Sequence, residues 1–284
     1  MKINKHIPYP LLIVIALLII VFSPSQIVCQ TSEDSTSGAA KYSVGANIGI
    51  SDFHIKDEYL SPDVMKGILF ASEISFKSKL KKNIHAVDIF FSKGNTNSDI
   101  HELELTQYAV GISYSFLYSI HSFDAGEFPV ELSLGAGVSS IVMNTDYITK
   151  SLIANGKNYD QSWYWSHSLN FLIHCDYSFS KDQSLSVQLT APVFKIVSRP
   201  ANGHWLDERN QEVLNDSFYN AATQGSPEFI WDNFALYCAV NYNHKIKDNI
   251  DLSFGYRFNF VSSNTPLSMK SYTNNLLIGL NFLF

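Results

Sequence analysis

Large apolar side chains occupy every second position in a series of segments that runs from residue 42 to residue 284. The last segment shows the pattern most plainly, with an apolar register of Leu276, Ile278, Leu280, Phe282 and Phe284. Gly279 and Asn281 lie in the other register. Because successive side chains of a β-strand point to opposite faces, this period of two predicts strands with one apolar and one polar face. The sequence therefore predicts an all-β protein of about ten strands, with about eight or twelve as alternatives if a hairpin is miscounted.

The predicted connections between these segments alternate in length. Long connections are predicted at 52–66, 93–101, 143–162, 198–230 and 262–271, and short ones at 78–83, 120–127, 180–183 and 245–249. Long loops on one rim and short turns on the other are typical of up-and-down membrane barrels. In such a barrel the first predicted strand, Tyr42 to Ser51, pairs with the last one to close the wall.

The register opposite the apolar one is rich in Gly, Ser, Asn and charged residues. A soluble barrel needs an apolar interior, which this register cannot supply. Placed inward, it fits a single antiparallel transmembrane β-barrel with a polar lumen. Aromatic residues, among them Trp163, Trp165 and Trp231, fall where the outer membrane interface is expected, a depth that such rings prefer.

A chain that alternates up to a final aromatic residue, Phe284, resembles the closing strand of an outer-membrane barrel. Over residues 42–284 the chain resembles a small outer-membrane β-barrel protein of Gram-negative bacteria. In such proteins the barrel-assembly machinery reads the last strand, so the resemblance implies this role for Leu280, Phe282 and Phe284. It also implies outer-membrane lipid around the wall, extracellular long loops and periplasmic termini.

The N-terminal segment has the features of a signal peptide. Lys2 and Lys5 precede an apolar run from Leu11 to Phe22, and small and polar residues follow it. We interpret residues 1–29 as a signal peptide and residues 30–41 as a flexible lead-in to the barrel. An uncleaved signal anchor and a lipoprotein modified at Cys29 are the alternatives.

The composition agrees with an exported membrane barrel. The chain is 46% hydrophobic, yet after Phe22 it has no apolar run of the roughly 18 residues that a membrane helix needs. Removing residues 1–29 takes away two lysines and no acid, so the formal charge changes from −6 to −8. This acidic balance argues against a nucleic-acid partner. Cys175 and Cys238 lie on apolar registers, and we interpret them as small apolar side chains rather than as a disulfide.

Charged residues on the inward register are the candidates for chemistry in the lumen: Glu73, Asp88, Glu131, Asp176 and Arg257. We expect an ion-pair network in a narrow barrel, with Arg257 as its hub because its planar fork can serve two carboxylates. A catalytic or conducting site is the alternative. No HExxH, CxxC or local catalytic motif is present, so neither a metal, nor a cofactor, nor an enzymatic activity is predicted.

The 198–230 connection contains Trp205, Phe218 and Tyr219, which we expect either to fold over the barrel mouth or to contact a ligand. The sequence thus predicts a non-enzymatic outer-membrane barrel that binds or passes a small solute, or has a structural or surface-interaction role. The alternatives are a hydrolase acting on lipid or peptide at the extracellular rim, and an apolar-solute channel with a lateral opening near Pro192.

Overall fold

The computed structural model describes residues 42–58, 63–98, 104–125, 128–147, 161–200, 225–264 and 268–284. The predicted signal peptide and lead-in lie outside the described residues. So do Trp205, Phe218 and Tyr219 of the 198–230 connection.

The described residues form eleven β-strands. They are β1 (Tyr42–Asp57), β2 (Val64–Leu80), β3 (Asn83–Ser98), β4 (Glu104–Ala125), β5 (Phe128–Tyr147), β6 (Gln161–Ser178), β7 (Gln183–Ser198), β8 (Ser226–Phe229), β9 (Asn233–Lys247), β10 (Ile250–Ser263) and β11 (Met269–Leu283). No helix in the described part of the chain is long and apolar enough to cross a membrane.

The strands form one antiparallel sheet that closes on itself. Each of β1 to β6 pairs with the strand that follows it, β9, β10 and β11 pair in succession, and β11 pairs with β1. In the closing pair, Ile50 is opposite Leu276 and Val44 is opposite Phe282. The predicted pairing of the first and last strands and the predicted closed barrel are confirmed.

The strands β8 and β9 occupy one position in the wall, so the barrel has ten wall positions, as predicted. β7 pairs with β9 up to Thr190 and Tyr237, and with β8 from Phe194 and Phe229 onwards. A turn at residues 230–232 separates β8 from β9. The β7–β9 ladder therefore ends two residues before Pro192, near which a lateral opening is one of the alternatives raised by the sequence.

The outer face of the wall carries rows of exposed apolar side chains. One such row crosses four adjacent strands, with Phe70 on β2, Ile50 on β1, Leu276 on β11 and Tyr256 on β10 as register neighbours. Phe70 and Ile50 are each 52% exposed, Leu276 is 58% exposed and Tyr256 is 36% exposed. The residues next to them in the chain, such as Ser51 and Asn275, point inward and are buried. The predicted apolar-out, polar-in alternation is therefore present in this part of the barrel.

We call the two ends of the barrel the short-turn rim, where residues 81–82, 179–182 and 248–249 connect strands, and the opposite, long-connection rim. Several strands continue toward the long-connection rim beyond their predicted ends. β1 extends to Asp57, although a loop is predicted from residue 52. In this extension Phe53 and Ile55 point inward and are buried, while Lys56 is exposed. In β1 the polarity of the two faces is thus reversed near this rim.

These inward side chains form an apolar cluster inside the barrel, which we call the apolar cap. It consists of Phe53, Ile55, Met65, Leu69, Leu105, Tyr164, Val197, Ala235, Val261 and Met269. The polar lumen is confirmed below this cap, but the cap itself is not predicted from the sequence. Trp163 and Trp165 are also buried, at 4% and 6% exposure, rather than placed at an exposed interface. The indole of Trp163 donates a hydrogen bond to Ser198 Oγ at 3.2 Å.

Candidate functional site

The lumen contains a cavity of about 540 Å³. Its lining extends from Tyr42 and Leu283, next to the short-turn rim, to Phe53 and Tyr164 of the apolar cap. Its charged lining residues are the acids Glu73, Asp88, Asp176 and Asp251 and the bases Lys77, Lys79 and Arg257. All seven come from the register that faces inward on β2, β3, β6 and β10.

Arg257 and Glu73 form the central ion pair of the cavity. Arg257 Nη2 lies 2.7 Å from Glu73 Oε1, and Arg257 Nε lies 3.1 Å from Glu73 Oε2. The pair therefore has the two-bond geometry that guanidinium and carboxylate groups favour. Arg257 Nη1 donates to Asn241 Oδ1 at 2.6 Å, and Asn47 Nδ2 donates to Glu73 Oε1 at 3.3 Å.

Asp88 lies close to this pair without joining it. On β3 it is in register with Ser75 of β2 and Ser113 of β4. It is near enough to Glu73 and Arg257 to feel their charges, but it forms no ion pair with any described residue. Asp88 is therefore a carboxylate that faces the cavity without a cation bound to it.

A second group of ion pairs links β2 to the other side of the lumen. Lys79 pairs with Glu131 of β5 at 2.5 Å, and Lys77 lies 3.8 Å from Asp176 of β6. His174 Nε2 is 3.0 Å from the same Asp176 oxygen. Thus, of the five predicted network residues, the structure brings Glu73 and Arg257 into contact, whereas Glu131 and Asp176 pair with lysines and not with Arg257.

Two buried amide oxygens in the cavity wall accept no hydrogen bond. They are Oδ1 of Asn47 and Oδ1 of Asn275, whose residues are 6% and 1% exposed. The orientation of each amide follows from its nitrogen, because Asn47 donates to the Glu73 carboxylate and Asn275 donates to the carbonyl oxygen of Arg257. Leaving a buried acceptor unsatisfied costs about 1–3 kcal/mol. Both oxygens are therefore buried acceptors that no described donor satisfies.

Several residues of this site are not among those predicted from the sequence. Lys77, Lys79, Asn47, Asn241 and Asn275 all lie on inward registers, which the alternation did reveal. Their partners are on strands that are distant in sequence, and a register alone gives no information on which strand a long side chain reaches.

A separate polar cluster lies beside the apolar cap. Lys195 Nζ donates to Asn233 Oδ1 at 2.5 Å, and Asn233 Nδ2 donates to Glu228 Oε2 at 2.6 Å. Also at the long-connection rim, the guanidinium group of Arg199 pairs with the carboxylate of Asp57 at 2.8 Å. The Lys195 cluster joins β7, β8 and β9, so it holds together the wall segments on both sides of the turn at residues 230–232.

The described residues contain no group of three or more His, Cys, Asp or Glu side chains placed to hold a metal ion. Cys175 and Cys238 are both free. The predicted assembly residues Leu280, Phe282 and Phe284 point outward from β11 and the chain end, and they are 38%, 40% and 71% exposed.

No protein-family model and no curated protein sequence matches the chain. Among the solved structures with a similar backbone are the following three. The outer membrane protease OmpT from Escherichia coli is 10% identical with a TM-score of 0.48, covering 89% of this chain and 100% of that one. The transport unit of the autotransporter AIDA-I from Escherichia coli is 9% identical with a TM-score of 0.45, covering 93% and 97%. Neisserial surface protein A is 17% identical with a TM-score of 0.37, covering 87% and 100%. We assign no function on these similarities.

Proposed function

We propose that the protein is an integral outer-membrane β-barrel that binds a small polar solute in its lumen and catalyses no reaction. The observation that carries this proposal is the contrast between the two faces of one closed sheet. Exposed apolar rows such as Phe70, Ile50 and Leu276 cover the outside, whereas charged and amide side chains line a cavity inside. A membrane barrel needs this arrangement, because its outer face contacts lipid and its interior contacts water.

The proposed orientation places the short-turn rim in the periplasm and the long connections outside the cell. The cavity lining reaches Tyr42, Ser43 and Leu283 beside the short-turn rim and ends at the apolar cap on the other side. In this orientation a solute enters the lumen from the periplasm. The apolar cap and the ion pairs across the lumen oppose free passage to the outside.

Cysteine labelling of the barrel in lipid vesicles tests the proposal. The background is the full chain with Cys29, Cys175 and Cys238 changed to alanine. In this background Ser184→Cys faces the cavity, and the adjacent Leu185→Cys lies on the opposite register. A small water-soluble thiol reagent is expected to label Ser184→Cys about tenfold faster than Leu185→Cys, because lipid shields the outer face.

Equal labelling at both positions, or labelling of Leu185→Cys alone, would contradict a water-filled lumen in a membrane-embedded wall. Heat-dependent gel mobility of each variant shows whether the barrel is folded. The alternative of a hydrolase at the rim remains a prediction, and it is tested separately by mass spectra of lipid A from cells with and without the protein.

A further inference from the structure

We infer that the solute bound in the lumen is a small organic cation that carries a primary ammonium group. This inference rests on the proposed function, because it requires a lumen that a solute can enter. It concerns the part of the cavity formed by Asp88, Asn47 and Asn275, next to the Arg257–Glu73 pair.

The charges of the cavity favour a cationic ligand. Each of its three basic side chains already has a carboxylate partner: Glu73 for Arg257, Glu131 for Lys79 and Asp176 for Lys77. An anionic ligand would have to compete with these carboxylates. Asp88 and Asp251, in contrast, line the cavity and form no ion pair with a described residue. The ionisable groups of the cavity that are not yet paired are therefore acidic.

The uncharged polar groups of the cavity wall also favour a ligand that donates hydrogen bonds. Asn47 and Asn275 each direct their Nδ2 donor to a protein acceptor, which leaves Oδ1 as the free group. An oxygen of this kind can only accept a hydrogen bond. A primary ammonium group has three N–H donors and no acceptor, which complements a carboxylate and amide oxygens.

The size and apolar lining of the cavity favour an organic cation over a metal ion. A volume of about 540 Å³ leaves room for a carbon chain beside the charged group. Phe90 and Ile141 line the cavity together with the polar groups and offer contacts for such a chain. A hard divalent cation would need about six oxygen ligands at short range, whereas an ammonium group needs about three acceptors.

Calorimetric titration of the full chain, refolded in detergent, tests the inference with three probes of the same chain length. Putrescine carries two ammonium groups, 1,4-butanediol is neutral, and succinate is anionic. We expect putrescine to bind at least about tenfold more tightly than the diol and succinate not to bind. A diol or succinate affinity equal to that of putrescine would overturn the inference. Displacement of putrescine by an equal concentration of K⁺ would also overturn it, since the site would then select charge alone.

Variants locate the binding in the cavity. Asp88→Asn removes the unpaired charge and keeps the shape, and it should weaken putrescine binding at least about fivefold. Asp248→Asn removes the same charge from an exposed turn and should leave binding unchanged. Asn275→Leu provides a second test that leaves Asp88 in place, and a clear loss of affinity is expected there too. Unchanged binding in either folded cavity variant would contradict the site.

This experiment separates the inference from the proposed function. If Ser184→Cys is labelled in vesicles but putrescine shows no advantage over the diol, the lumen is open to solutes and only the ammonium assignment is wrong. If Ser184→Cys is not labelled faster than Leu185→Cys, the proposed function itself fails.

Discussion

At the scale of single residues, the lumen is organised by one guanidinium group. Arg257 reaches from β10 past β11 and β1 to Glu73 on β2, so the pair spans three strand-to-strand steps of the wall. The side chains of Arg257 and Glu73 are only 17% and 8% exposed. Removing either one would therefore leave the other as a poorly solvated charge. Removing one member of a buried pair is therefore more harmful than removing both.

We predict that Glu73→Gln lowers the free energy of unfolding by about 3 kcal/mol, because it leaves the charge of Arg257 without its counter-ion. The double change Glu73→Gln/Arg257→Gln should recover more than half of this loss. Urea-induced unfolding in lipid vesicles measures both values. Lys79→Gln is the matched control: Lys79 is 40% exposed, so breaking its pair with Glu131 should cost less than about 1 kcal/mol. Equal losses for Glu73→Gln and Lys79→Gln would contradict a central role for the Arg257 pair.

The alternation of apolar and polar residues predicts which face of a strand each residue of this site occupies. The period of two places Glu73, Asp88 and Arg257 on the inward face, and this placement is correct. It gives no information on distances across the lumen. Glu73 and Arg257 are 184 residues apart in the chain, and their contact depends on how far the closed sheet curves. The unsatisfied oxygens of Asn47 and Asn275 can be recognised only from a three-dimensional structure, because the positions of all nearby donors must be known.

At the scale of secondary-structure elements, the closing strand β11 depends on a glycine that packs against its neighbour. A Cβ atom at Gly279 would overlap the carbonyl oxygen of Ala46 and Oδ1 of Asn47, both on β1. Gly279 therefore allows the two strands at the seam of the barrel to pair while Asn47 keeps its hydrogen bond to Glu73.

We predict that Gly279→Ala destabilises the barrel by about 1–3 kcal/mol, because the backbone oxygen of Ala46 cannot move without breaking the β1–β11 pairing. The control is Gly111→Ala on β4, where the nearest atom to an added Cβ is 3.6 Å away. Gly111→Ala should change the stability by less than about 1 kcal/mol. The folded fraction in heat-dependent gel mobility and the urea midpoint provide the measurement. A Gly279→Ala barrel as stable as the Gly111→Ala barrel would show that the seam tolerates a side chain.

The ends of the elements show where the sequence pattern misleads. In β1 the apolar side chains lie at even positions up to Ile50 and then at odd positions, Phe53 and Ile55, with no bulge in the strand. A change of phase of this kind is typical of the end of a strand, and a loop is predicted from residue 52. The strand in fact continues, because backbone pairing with β2 and β11 does not depend on which face is apolar.

At the scale of the whole molecule, the barrel combines two kinds of interior. Between the two rims the lumen is lined by polar and charged side chains and the outside is apolar, as expected for a wall in lipid, and nearer the short-turn rim Ile84, Leu117 and Leu172 form a small buried apolar cluster inside. Toward the long-connection rim the inside contains the apolar cap, as in a soluble barrel, with the buried Lys195 cluster beside it. The closed ring and its number of wall positions followed from alternation and connection lengths. The cap did not, because it forms from single positions on many strands that meet only after closure.

We predict that the intact barrel conducts little current in a planar lipid bilayer, because the apolar cap blocks the lumen. Met65→Ala/Leu69→Ala shortens two cap residues that are each 1% exposed, and it should produce larger single-channel currents. Ile68→Ala on the outward face of the same strand, where the residue is 62% exposed, should behave like the unmodified protein. Large stable currents without any substitution would contradict closure by the cap.

The seam between β1 and β11 has a consequence for the topology of the chain. Tyr42 and Phe284 exchange two backbone hydrogen bonds, with N–O distances of 3.3 Å and 2.9 Å. The ends of the barrel segment thus already lie at hydrogen-bonding distance within the ring. Joining them with a short linker and opening the chain at the turn of residues 248–249 would leave the cyclic order of the wall strands unaltered. Each strand position in the wall has a neighbour on both sides. The seam differs from the other strand pairs only because the two ends of the barrel segment meet there.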